Sequence, residues 1–181
     1  MATPTTLPAS FTAGQVLTAA QMNNLRGAFR VLQIVSTTKT DTFSASTSNT
    51  FTDITGLSVS ITPSATTSKV LVMVSMIGGA TANGVANIQL VRGSTAICIG
   101  DAAGSRTRAS ASTDSNGLDQ PFSTSINFLD SPATTSATTY KLTINTGDTG
   151  GTAYINRPLL DNDNFYQGRF ASTITVMEIS A

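Results

Sequence analysis

Residues 57–77, LSVSITPSATTSKVLVMVSMI, decide the fold class. Leu57, Val59 and Ile61 alternate with Ser58, Ser60 and Thr62, the period of a strand with one buried face. Pro63 ends that strand, because it brings no N–H to a ladder. A hydroxyl-rich turn follows. Residues 70–77 (VLVMVSMI) are then continuously apolar, as expected of a strand covered on both faces.

The same grammar extends outward. Ala86, Ile88 and Leu90 alternate with Asn87, Gln89 and Val91, and Ile97 and Ile99 flank Cys98. Phe122, Thr124, Ile126 and Phe128 share a face, and Tyr140, Leu142 and Ile144 alternate with Lys141, Thr143 and Asn145. Near the end, Ile174 and Val176 face one way, Met177 and Ile179 the other. That segment is either buried on both faces or bulged. Gly78-Gly79, Asn83-Gly84, Asn116-Gly117 and Gly150-Gly151 mark turns. Nine or ten strands with no helical pattern between them predict an all-β fold, an antiparallel jelly-roll-like β-sandwich over residues 31–181. Its expected core includes Leu57, Val59, Ile61, Leu71, Met73, Ile88, Leu90, Ile126, Phe128, Leu142 and Ile144. Residues 101–119 and most of 157–170 are poor in apolar groups and are expected to be long loops.

An N-terminal segment, residues 1–30, precedes the sandwich. Pro4 and Pro8 disfavour helix in residues 1–16, which read as an extended arm. One short α-helix is predicted over 17–30. Thr18 caps it, Gln21 completes a capping box, and Leu17 before the cap staples onto Met22. Met22, Leu25 and Phe29 then share one face. So short a helix is marginal alone in water and must dock its stripe somewhere. Phe11, Val16, Leu17, Met22, Leu25 and Phe29 are therefore the candidate attachment residues. The surface they meet is either a partner or the chain's own sandwich.

Composition removes many functions. The 181 residues contain no histidine and no tryptophan, and 11% are charged, with ten acids balancing ten bases. Without histidine there are no His-based triads, His general bases or His-ligated zinc sites. Zero net charge gives no electrostatic footprint for nucleic acid. No run of eighteen apolar residues predicts a membrane span, and no signal peptide is expected. Cys98 is alone, so no intrachain disulfide forms. Threonine and serine together number 52. Hydroxyls desolvate more cheaply than Lys or Glu, which suits close packing in an assembly.

Three stretches carry a resemblance. Phe11–Arg26, FTAGQVLTAAQMNNLR, following the leader PAS, resembles the N-terminal stretch of many tailed-bacteriophage virion proteins. Thr52–Val74, TDITGLSVSITPSATTSKVLVMV, resembles a β-domain of phage fibre and decoration proteins, including those of cyanophages and marine phages. Ser172–Ala181, STITVMEISA, resembles the closing strand of that domain. The resemblance implies a non-enzymatic structural protein of the virion. It implies a homotrimer, held to the major capsid protein or other virion proteins through its N-terminal part. A capsid decoration (cement) protein or short head fibre is favoured, because the shaft repeats and coiled coils of long tail fibres are missing. The alternative is a receptor- or glycan-binding tail appendage that meets a host-surface glycan. Either is made in the bacterial cytoplasm.

The remaining motifs are weak. Gly78–Gly84 lacks the Lys-Ser/Thr of a phosphate loop and reads as a turn. Asp161-Asn162-Asp163-Asn164 offers oxygen ligands but fails the spacing of a calcium loop. Arg106 and Arg108 are either solvated or meet a partner's carboxylate or phosphate. Nothing in the sequence pairs two carboxylates for glycoside cleavage, so no catalytic residue, metal or cofactor is expected.

Overall fold

In the computed structural model the described residues are 30–48, 50–81, 84–114, 121–147 and 150–180, with Ala13, Gly14, Val16 and Ala19. Of the helix expected over 17–30 only Ala19 and Arg30 are described, and the attachment residues Phe11, Leu17, Met22, Leu25 and Phe29 lie outside the described residues. Val16 is described and is exposed.

Eleven strands are described: β1 (Val31–Lys39), β2 (Phe43–Ala45), β3 (Thr52–Ile61), β4 (Lys69–Ala80), β5 (Val85–Arg92), β6 (Thr95–Ile97), β7 (Ala111–Asp114), β8 (Phe122–Asp130), β9 (Thr138–Thr146), β10 (Ala153–Ile155) and β11 (Ser172–Ile179). All pairings between strands are antiparallel. In the first sheet β1 pairs β11, β11 pairs β4 and β4 pairs β8, while the end of β4 also pairs β10, which pairs β2. In the second sheet β3 pairs β9 and β9 pairs β5, whose other side is shared by β7 and β6. With β6 and β7 taken as one interrupted strand and the short β2 and β10 set aside, eight strands remain. Their order is first, eighth, third, sixth in one sheet and second, seventh, fourth, fifth in the other. That is the jelly-roll order, two Greek keys dealt between two sheets.

The core lies between the sheets. Leu57, Val59 and Ile61 of β3, Ile88 and Leu90 of β5, Leu142 and Ile144 of β9 and Ile126 of β8 are buried as their alternation predicts. Phe128 is half-buried and packs against them. Strand β4 differs from its sequence reading. Val70, Val72, Val74 and Met76 point inward, whereas Leu71 is half-buried and Met73 is exposed on the outer face. Leu71 and Met73 are thus not core residues, because the strand alternates like its neighbours and its outer face is merely apolar. In β11, Ile174 and Val176 are buried, and Met177 and Ile179 face out half-buried. The register shift there falls on the partner strand, between Val31 and Gln33.

Two further readings are corrected. Gly78 and Gly79 lie inside β4, not in a turn. A Cβ on Gly78 would sit 2.6 Å from the carbonyl oxygen of Tyr154, so the close approach of β10 requires glycine there. The expected loop 101–119 contains β7, whose Ala-Ser-Thr-Asp sequence pairs with Val85–Ile88. Its hydroxyl-rich residues carry no apolar alternation to announce a strand.

Buried polar groups tie the layers together. Asp130 on β8 accepts from Arg92 Nη1 on β5 at 2.8 Å and from the Tyr140 hydroxyl on β9 at 2.7 Å. Asn156, fully buried just after β10, donates through Nδ2 to the Lys39 and Asp41 carbonyls at 2.9 and 3.0 Å. Its Oδ1 accepts from Ser172 Oγ at 2.6 Å. Its φ of 63° is one that asparagine tolerates better than most residues. The ends of the sandwich meet as well: Ser180 N–H donates to the Arg30 carbonyl and Arg30 N–H to Ser180 Oγ, both at 2.9 Å.

Candidate interaction surface

Strand alternation sorts the outer face of the first sheet into rows. Ile34 of β1 stands opposite Met177 of β11, Met177 opposite Leu71 of β4, and Leu71 opposite Leu129 of β8. Four apolar side chains therefore cross four strands in one line. Ile34 is 58% and Leu129 55% exposed, at the two ends of the row. Val31 and Ile179 extend the apolar band on one side, and Met73 on the other. Further along the strands the outward residues turn to hydroxyls: Ser36, Thr175, Thr38, Thr173, Ser75 and Ser125. Lys69 is the one charged residue among the described outward positions of these four strands, and it donates to Ser131 Oγ at 2.7 Å.

The second sheet presents a different outer face. Lys141 pairs with Asp53 at 2.7 Å, Ser60 with Thr139 at 2.7 Å, and Asn87 Nδ2 donates to Asn145 Oδ1 at 3.1 Å. Most of these polar groups pair with one another, although Asn145 and Thr143 are buried and the Thr143 hydroxyl has no hydrogen-bond partner among the described residues.

The apolar band rests on a buried carboxylate. Glu178 lies between Met177 and Ile179 but points inward, fully buried. Its Oε1 accepts from the Ser64 N–H at 2.7 Å and the Ser64 hydroxyl at 2.6 Å, and its Oε2 from Gln33 Nε2 at 2.6 Å. Burial pushes its pKa up, but the hydrogen bonds from Gln33, Ser64 and Ser68 outweigh this and hold it down at about 2. The only glutamate of the chain thus pins β1, β11 and the β3–β4 turn, and leaves the outer face without a negative charge.

A second surface feature is the loop between β10 and β11. Arg157 lies over the Tyr154 ring at 4.0 Å, and Asp161 pairs with Arg169 at 2.8 Å. Asn162 N–H donates to Gln167 Oε1 at 2.6 Å. On this braced turn Phe165 is fully exposed and Tyr166 largely so, their rings 5.3 Å apart and edge to face. Asp161 is occupied by arginine, and among the described residues no three His, Cys, Asp or Glu side chains gather to hold a metal. Arg106 and Arg108 line a cleft of about 390 Å³ with Asp101, Asn87 and Ser110. Arg108 Nε is spent on the Gly100 carbonyl at 2.7 Å, while its own carbonyl accepts from Gln89 Nε2.

No family model and no curated relative matches the chain. Among solved structures, the chain is similar to one titled as infectious bursal disease virus, Gx strain, at 17% identity. The similarity covers 82% of this chain and 40% of that one, with a TM-score of 0.35. The chain therefore spans two-fifths of that protein's length, and an overlap so loose carries no function across.

Sequence reasoning places the attachment site in the N-terminal segment, outside the described residues save for Val16. It misses the band on the first sheet. The signal is present in VLVMVSMI and in ITVMEI, each apolar on both faces, but a local reading turns both faces of β4 to the interior.

Proposed function

We propose that this chain is a non-enzymatic structural protein of a phage virion, a capsid decoration or short head-fibre protein that assembles as a homotrimer and attaches through its N-terminal segment. The observation that carries the reading is the outer face of the first sheet: a jelly roll whose broad face is apolar and hydroxyl-bearing, with a single cation at its rim. Such a face costs little to desolvate and gains from being covered. The resemblance of Phe11–Arg26 to phage virion proteins supplies the particle, with the major capsid protein as the attachment partner. Densitometry of purified virions tests it. Copies in the hundreds per particle support decoration, a handful indicates a tail, and absence from the particle overturns the virion reading.

A receptor- or glycan-binding appendage is the second reading, favoured by the braced loop carrying Phe165 and Tyr166. Exposed aromatics beside Asp163 and Asn164 are suited to stacking on and hydrogen-bonding a sugar ring. A glycan array probed with wild type and with Phe165→Ala/Tyr166→Ala tests it. Binding lost in the double variant supports it, and binding to no glycan removes it.

A further inference from the structure

We infer that the row Ile34–Met177–Leu71–Leu129 is the surface through which copies of this chain meet, the occupant being a neighbouring copy's own row. The inference deepens the reading of the chain as a self-assembling structural protein and rests on it.

Four observations support a second copy as the occupant. First, the outer faces of β4 and β11 carry Leu71, Met73, Met177 and Ile179 beside their hydroxyls, and among the described residues Met73 is left exposed and the other three only half-buried. Second, the face carries no anion and one cation, already engaged with Ser131, so identical faces meet without like-charge repulsion. Third, the size is of interface order. Four strands about 4.8 Å apart and seven residues of about 3.3 Å each give a plan area of roughly 440 Å² before side-chain relief, against the roughly 800 Å² of accessible surface a stable interface takes from each partner. Fourth, the face is already rigid. Glu178 fixes β1, β11 and the β3–β4 turn beneath the band, so little is left to order on assembly.

The row also has a direction. Ile34 lies on β1 at one edge of the four strands and Leu129 on β8 at the other, and these ends are its most exposed members. Around a threefold axis such a row closes head to tail. Ile34 of one protomer meets Leu129 of the next, with Met177 and Leu71 towards the axis. A heterologous contact of this kind makes a ring when the rotation closes.

The test uses the full chain and three readouts. Light scattering of the wild type gives the mass in solution, expected to be three times that of the protomer. Ile34→Asp and Leu129→Asp, both at exposed positions, are expected to reduce the mass threefold while circular dichroism keeps the β signature. Ile34→Cys/Leu129→Cys in one chain, oxidised, is expected to run as a covalent trimer on a non-reducing gel, whereas each single cysteine variant runs as a monomer. A wild type that is monomeric, aspartate variants of unchanged mass, or a double-cysteine variant that does not cross-link overturns the inference. A monomer in which the thiol introduced by Leu129→Cys is shielded from thiol reagents points instead to the chain's own N-terminal segment as the cover, and overturns it too. Failure here is separable from failure of the virion reading, which is judged by copies in purified particles whatever the solution mass.

Discussion

The Tyr140 hydroxyl donates to Asp130 Oδ2 at 2.7 Å and so joins β9 of one sheet to β8 of the other inside the core. Burial first, and the adjacent carboxylate second, push the phenol's pKa well above its ordinary range, so it remains a donor at any working pH. Tyr140→Phe keeps the ring and removes the donor. Asp130 retains Arg92 at 2.8 Å. The expected loss is about 1–3 kcal/mol, the cost of leaving one acceptor site of a buried carboxylate unmet. Urea unfolding at pH 7 measures it, and an unchanged midpoint would show that the inter-sheet bond contributes nothing.

Met76 and Met73 lie three residues apart on β4, on opposite faces. Met76→Ala is expected to cost about 2–5 kcal/mol, because it empties a fully buried site. Met73→Ala is expected to stay within about 1 kcal/mol in the isolated protomer. Equal losses at both positions in chemical denaturation would mean that the outer face is covered as deeply as the core.

Gly78 and Gly79 make a second contrasting pair. A Cβ on Gly78 runs into the Tyr154 carbonyl, whereas one on Gly79 meets nothing within 4 Å. Gly78→Ala is expected to push β10 away and destabilise by about 1–3 kcal/mol. Gly79→Ala is expected to be neutral or to stabilise by up to about 1 kcal/mol through the unfolded chain. Thermal melts of the two variants settle the order.

Glu178 gives the pH dependence. Its folded pKa of about 2 lies below its ordinary value of 4.5. The ionised form is therefore favoured by folding, and its contribution is complete above about pH 4.5 and lost as pH falls through 2. Glu178→Gln is expected to lower the melting temperature at neutral pH and to converge with the wild type near pH 2. Parallel melting curves from about pH 7 down to about pH 2 would assign the acid sensitivity to other carboxylates.

Strands with a polar outer face were legible in the sequence. β3, β5 and β9 alternate because Ser58, Ser60, Asn87, Gln89 and Lys141 mark the outer side. β4 and β11 were legible as strands but not in their orientation, since Leu71, Met73 and Met177 look like core residues to any local reading. The two glycines of β4 resemble a turn until β10 is seen lying against them, with Ile155 opposite Gly78 and 77 residues further along the chain. Strand β7 had no apolar signature at all. The inward turn of Glu178 and Asp130 depends on donors far away in sequence, Gln33 and Arg92 among them, and so could not be read from neighbouring residues. The six attachment residues read from the N-terminal segment remain a proposal, with the deletion of residues 1–30 as its direct test.

The reciprocal bonds between Arg30 and Ser180 bring the entry and exit of the sandwich to one corner. A cargo fused after the last strand would emerge beside Arg30, where the chain enters the sandwich. The same adjacency lets the whole sandwich be spliced into a surface loop of another protein with short connections, since host segments need to span only the width of one strand pairing. It also makes the corner of β1 and β11 the natural place to close a circularly permuted version, with Arg30 and Ser180 joined by a few residues and new ends cut in an exposed loop.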